Sequence, residues 1–172
     1  DTLGVAVPYP EACLPISVPK LIRAFIEEAG VPEELLEWHG HNDFYRAVIN
    51  ATTAWLYGCT FVNTSLLGIG ERTGNTPLEA MVFEYMCLKG TADGMDTTVI
   101  TEIVNYYKNV LHEKIPIRQP FVGEEFNATK AGIHIDGIIK NEEIYNPFDT
   151  WKLLKRPIQI IITDKSGTAG IA

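Results

Sequence analysis

Short apolar runs of strand length alternate with helical repeats through the first half of the chain. That alternation restricts the fold more than any single motif does. In SVPKLIRAFIEEAG, Leu21, Ile22, Phe25, Ile26 and Ala29 fall on one helical face, with Ser17 as cap, Pro19 in the first turn and Gly30 as stop. LLEW at 35–38 reads as a buried strand, and a helix is expected from about Asp43 to Tyr57. TFVNTSLL at 60–67 has the β-branched and apolar content of another strand. A glycine-rich loop then leads into a helix capped by Asn75 or Thr76, with Pro77 in its first turn, that runs to about Leu88. Helix, strand, helix, strand, helix at this pace specifies βα units around a parallel sheet.

From Lys89 the pattern changes. KGTADGMD reads as a linker, and a helix over 97–111 carries Ile100, Ile103, Val104, Tyr107 and Leu111 on one face. Pro116 and Pro120 mark an irregular crossing, followed by a helix near 127–139 and a strand in IQIII at 158–162. The expected division is 1–89 and 90–172. The composition, 46% hydrophobic and 21% charged, is that of a folded chain. A net charge of −8 repels phosphate backbones and argues against nucleic acid as partner. No apolar run is long enough to span a membrane, and no basic-then-apolar leader opens the chain. Cys13, Cys59 and Cys87 are odd in number and form no C-x-x-C pair, which argues against a disulfide framework and for a reducing cytoplasm.

Two of the four histidines, His39 and His41, stand one residue apart at the end of an expected strand. Strand side chains alternate, so positions i and i+2 point the same way, with α-carbons roughly 7 Å apart. Two imidazoles so placed can converge on one ion, and Gly40 between them adds no bulk. They read equally as two solvated histidines at a strand edge. Two histidines do not complete a divalent site, which needs carboxylates or waters as well. Asn42 and Asp43 can cap the following helix. In GIGERTGN, three glycines permit left-handed backbone at the same end of the sheet. The Gly-Lys-Ser/Thr ending of a nucleotide loop is absent, so phosphate binding is not implied. Glu71, Arg72 and Asn75 bring polar groups to this rim, and Glu71 and Arg72 can also pair to brace the loop.

HGHND followed by LLGIGERTGNTPLEA resembles the isopropylmalate synthase and homocitrate synthase family of metal-dependent TIM-barrel enzymes that condense an acyl-CoA with a 2-oxo acid. DTLG resembles the end of that family's sixth barrel strand. AGIHIDGIIKNEEIYNPF resembles its post-barrel subdomain, and ITDKSGTAGIA the segment beyond. The resemblance implies the C-terminal part of a (β/α)₈ TIM barrel followed by a small α+β subdomain. It implies that His39, His41 and Asn75 hold a divalent metal (Mn, Mg or Zn), and that Thr2 binds the substrate carboxylate. It implies that His134 transfers a proton, with Tyr145 beside it, in a homodimer whose subdomain reaches the other subunit. Tyr45 stands where that family usually has glycine, a departure that leaves the substrate open.

The chemistry implied is a Claisen-type condensation of acetyl-CoA with a 2-oxo acid. The acceptors of 2-isopropylmalate, homocitrate and Re-type citrate synthesis all remain open. A carbon-carbon lyase of the same superfamily would carry a cysteine in the glycine-rich loop, and none lies between Leu66 and Asn75. A complete barrel needs about 250 residues. The early strands, with the Arg-Asp pair that supplies a third metal ligand, are unmatched here. The isolated segment is therefore also read as a non-catalytic fragment, expected to self-associate through open sheet edges.

Overall fold

The computed structural model describes residues 3–5, 14–163 and 166. Thr2, Cys13 and most of the ITDKSGTAGIA segment lie outside the described residues. The chain forms two compact units that divide between Asp93 and Gly94.

The first unit is built on a parallel sheet in the order β1 (Leu3–Val5), β2 (Leu36–Trp38), β3 (Phe61–Val62). Parallel neighbours require crossover connections, and the expected helices supply them. Helix α1 (Val18–Arg23) runs into a wider π-helical stretch, Ala24–Glu28, in which the Ala29 amide donates to the Ala24 carbonyl. Ser17 occupies the cap position, but its side chain makes no capping bond because its backbone is already helical. Helix α2 spans Ala47–Leu56 and α3 spans Leu78–Lys89.

Leu36 and Trp38 of the central strand are buried between these helices. On α2 the buried residues Ala47, Ala51 and Ala54 recur at helical spacing, and their small side chains let the helix lie close to its neighbours. Val18, Ile22, Cys59 and Met81 complete the same core. Burial pushes the Cys59 thiol up to about 11, which disfavours the thiolate and suits its place in the core.

Three sequence expectations shift here. Helix α2 begins at Ala47, not near Asp43, because Tyr45 sits in left-handed backbone (φ +57°) that a helix cannot contain. Asn42 still serves the helix start from five residues back, its Oδ1 accepting from the Ala47 amide at 3.3 Å. Asp43 does not cap. Likewise β3 stops at Val62, and Leu66–Gly68 forms a tight turn with Leu67 at φ +59°. Neither Asn75 nor Thr76 caps α3; Pro77 takes the cap position in extended backbone. Gly90 (φ +72°) ends the helix, as a C-terminal glycine does.

In the second unit, α4 (Val99–Asn109) buries Ile100 and Val104. Leu111, expected on that face, lies past the helix end and is 51% exposed. The helix expected near 127–139 is instead strand β4 (Ala128–Thr129) followed by α5 (Gly132–Lys140). Long-range bonds decide this: β4 pairs in parallel with β5 (Gln159–Ile160), and the Ser166 hydroxyl donates to the Lys130 carbonyl at 2.7 Å. Helix α6 (Thr150–Leu154), capped by Asp149, was not legible in the sequence. Among the described residues no helix is long and apolar enough to cross a membrane.

Glu79 is buried in the first turn of α3. One carboxyl oxygen accepts from the Leu67 amide at 3.1 Å, and the other has no hydrogen-bond partner. Burial raises its pKa. The folded state therefore keeps a proton that the unfolded chain has already released, so stability falls as pH rises from the ordinary carboxyl range through the folded value. Glu79→Gln keeps an acceptor for Leu67 and removes the titration. Denaturant unfolding across pH 4–8 should show that this variant loses less stability with rising pH than the parent; parallel curves would contradict the assignment.

Candidate functional site

Strand β2 ends at Trp38, and His39, Gly40 and His41 lead away from its carboxyl end. The two rings meet edge to face, with Nε2 atoms 3.3 Å apart. A side chain on Gly40 would begin only 3.0 Å from Trp38 Nε1, so the glycine leaves that ring its space. His39 Nδ1 lies 3.0 Å from the side-chain oxygen of Asn63, a residue that the sequence motifs do not mark. Asn63 is itself held by its amide, which donates to the Trp38 carbonyl at 2.8 Å.

The segment after the glycine-rich turn runs back along 41–43. His41 pairs with Asn75 in antiparallel fashion, and the Asn42 amide donates to the Gly74 carbonyl at 2.9 Å. At the far end Asp43 accepts from Arg72 Nε at 3.1 Å, from Arg72 Nη2 at 2.9 Å and from the Thr73 hydroxyl at 2.9 Å. The guanidinium thus goes to Asp43, not to the adjacent Glu71. Its hydrogen bonds hold the Asp43 carboxyl below the usual range. Both partners are exposed, so the pair adds little stability by itself. Its effect is geometric, because a two-pronged contact fixes which residue of one segment faces which of the other.

Opposed residues in such a pairing have β-carbons about 5 Å apart, so the Asn75 side chain starts beside that of His41. The Asn75 side-chain oxygen is buried and has no hydrogen-bond partner. The loop is shaped around it: a methyl on Gly70 would run into the Asn75 amide, and one on Gly74 (φ +95°) would strike the Gly68 carbonyl.

The site therefore offers two imidazole nitrogens and one amide oxygen. A buried acceptor with nothing to accept from is costly unless a ligand occupies it. Nitrogen and oxygen donors of these types suit a divalent ion of the zinc or manganese kind. Among the described residues, no third His, Cys, Asp or Glu joins the two histidines. The two imidazoles fit as part of a divalent site, and Asn75, paired with His41, carries a further buried acceptor.

In the second unit the structure brings together the two residues singled out there. His134 on α5 and Tyr145, just after the turn Glu142–Ile144, stack with ring centroids 4.3 Å apart and planes 24° from parallel. The turn is tied down by Glu142, whose carboxylate accepts from Asn146 Nδ2 at 3.0 Å and from the Thr150 hydroxyl at 2.6 Å. No sequence pattern pointed to that brace.

Comparison with known proteins places these features in a family. The HMGL-like family matches residues 2–106. A citrate (Re)-synthase of Syntrophus aciditrophicus is 63% identical over 172 residues, covering 100% of this chain and 27% of that protein. The citrate (Re)-synthase of Clostridium kluyveri is 55% identical over 172 residues, covering 100% of this chain and 38% of that protein. The 2-isopropylmalate synthase 2 of Caldanaerobacter subterraneus is 33% identical over 172 residues, covering 99% of this chain and 42% of that protein. This chain thus spans well under half the length of the relatives it matches. It belongs to the HMGL-like family, and so to the TIM-barrel superfamily, whose parallel βα architecture is the one seen in β1, β2, β3 and their helices.

Proposed function

We propose that this chain is a catalytic segment of a synthase that condenses acetyl-CoA with oxaloacetate to form citrate by the Re-type route. The observation that carries the reading is the convergence of His39 and His41, Nε2 to Nε2 at 3.3 Å, with Asn75, whose side-chain oxygen is unpartnered, paired to His41. Among the acceptors the sequence leaves open, oxaloacetate is favoured. Identity to two citrate (Re)-synthases is 63% and 55%, against 33% to a 2-isopropylmalate synthase. A 2-isopropylmalate synthase-like activity, with 3-methyl-2-oxobutanoate as acceptor, is the second reading.

In this proposal His39, His41 and Asn75 hold a divalent metal (Mn, Mg or Zn). When bound, such an ion supplies Lewis acidity toward the 2-oxo acid's carbonyl. Thr2, outside the described residues, takes the substrate carboxylate. The reaction breaks a C–H bond of the acetyl methyl, forms a bond from that carbon to the keto carbon, and leaves a hydroxyl where the ketone was. Water then cleaves the thioester and releases CoA as the thiol. The methyl proton is weakly acidic, so the group that moves it must be positioned. His134 takes that role, and the Tyr145 ring stacked against it limits the imidazole's orientation. We propose that His134 serves the partner subunit's site in a homodimer.

Four measurements on the full-length polypeptide test this. Thiol release from acetyl-CoA should be fastest with oxaloacetate, slower with 2-oxoglutarate or 3-methyl-2-oxobutanoate, and abolished by a chelator. Preference for a branched 2-oxo acid would move the assignment to the second reading. His39→Ala or His41→Ala should weaken metal binding at least ~10-fold, since loss of one of few ligands disturbs the rest. Unchanged affinity in the double variant would remove the metal assignment. His134→Ala should lower turnover by ~10²–10⁴ with metal content intact. Mixing inactive His41 and His134 variants, with subunit exchange verified, should restore part of the activity; no recovery would exclude a site shared between subunits.

A further inference from the structure

We propose that Asn63 is a positioning residue that fixes the proton of His39 on Nδ1 and so presents its Nε2 as a ready donor, a partner that His41 Nδ1 lacks. The inference rests on the reading of His39 and His41 as metal ligands.

Hydrogen accounting applies to the His39 ring. The Asn63 side-chain oxygen can only accept, so the 3.0 Å contact requires a hydrogen on His39 Nδ1. A neutral imidazole carries one ring hydrogen, so His39 Nε2 holds a lone pair. His41 Nε2 lies 3.3 Å from His39 Nε2. His41 Nδ1 is buried with no hydrogen-bond partner, so the two rings are unequal, and His39 is the one already held in the form that ligates through Nε2.

Asn63 is suited to the task because its place is set by the sheet. Trp38 pairs with Val62, and the next residue along, Asn63, donates its amide to Trp38. The first residues past β2 and β3 therefore stand side by side, and they are His39 and Asn63. A partner on the non-ligating nitrogen is what orients a metal-binding imidazole and fixes its tautomer.

The test uses the metal-stripped full-length protein labelled with ¹⁵N in the histidine rings, at about pH 8, above the ordinary imidazole range. The His39 signal is identified by its loss in His39→Gln. In the parent and in Asn63→Asp, which keeps an acceptor, His39 should show the Nδ1–H form. In Asn63→Leu, and in Asn63→Ala should the leucine variant misfold, that form should give way to Nε2–H. Zinc affinity, read by competition with a chromophoric chelator, should fall about 10- to 100-fold in the acceptor-free variants and be retained in Asn63→Asp. An unchanged His39 tautomer in Asn63→Leu or Asn63→Ala would overturn the proposal, as would equal affinity loss in Asn63→Asp, which would mark a packing role. If His39→Ala and His41→Ala leave zinc affinity intact, the metal reading fails instead, and the tautomer spectrum still reports whether Asn63 holds the His39 proton.

Discussion

The register between β2 and β3 is the constraint on which the site depends. Trp38 opposite Val62 fixes which residues leave the two strands together: His39 and His41 on one side, Asn63 and the glycine-rich turn on the other. A slip of one residue would turn every side chain to the other face of the sheet. The register is held from beneath by Leu36 and Trp38, buried against α1 and α2, and by the alanines that let α2 lie close. The packing of one core thus sets the spacing of two imidazoles.

Above the sheet, the loops are held by a short antiparallel pairing of 41–43 with 72–75, closed at its far end by Asp43 and Arg72. This region also contains unfavourable backbone. Tyr45, Leu67 and Arg72 all have positive φ without being glycine, at a cost of about 1–2 kcal/mol each. Leu67 is held by the buried Glu79 carboxyl, and Arg72 by its bond to Asp43. Orphaned polar atoms gather in the same stretch, at His41 Nδ1, Ser65 Oγ, Asn75 Oδ1 and Thr76 Oγ1. Strain and unsatisfied groups of this kind persist only where the surrounding packing over-determines the backbone.

The second unit follows another logic. Its two strands are two residues each, so pairing alone cannot hold it. Polar ties across long sequence gaps supply much of the order: Asn127 to Thr150 and Pro157, Glu142 to Thr150, and Ser166 to Lys130. Within this frame His134 and Tyr145 stack.

The sequence by itself determined the alternation of helices and strands in the first unit, because apolar periodicity is a local property and α1, β2, α2 and α3 each declare it. Its residue types and spacing also marked His39 and His41, while Asn75, His134 and Tyr145 were marked by the resemblance of their motifs to a known family. It could not supply Asn63, 24 residues from the His39 it touches, nor the choice of Asp43 over Glu71 as the partner of Arg72. Nor could it show that 128–129 would be strand and that Tyr45 would break the helix expected from Asp43. Those outcomes depend on which distant groups compete for the same hydrogen bonds, and that competition exists only once the chain has folded.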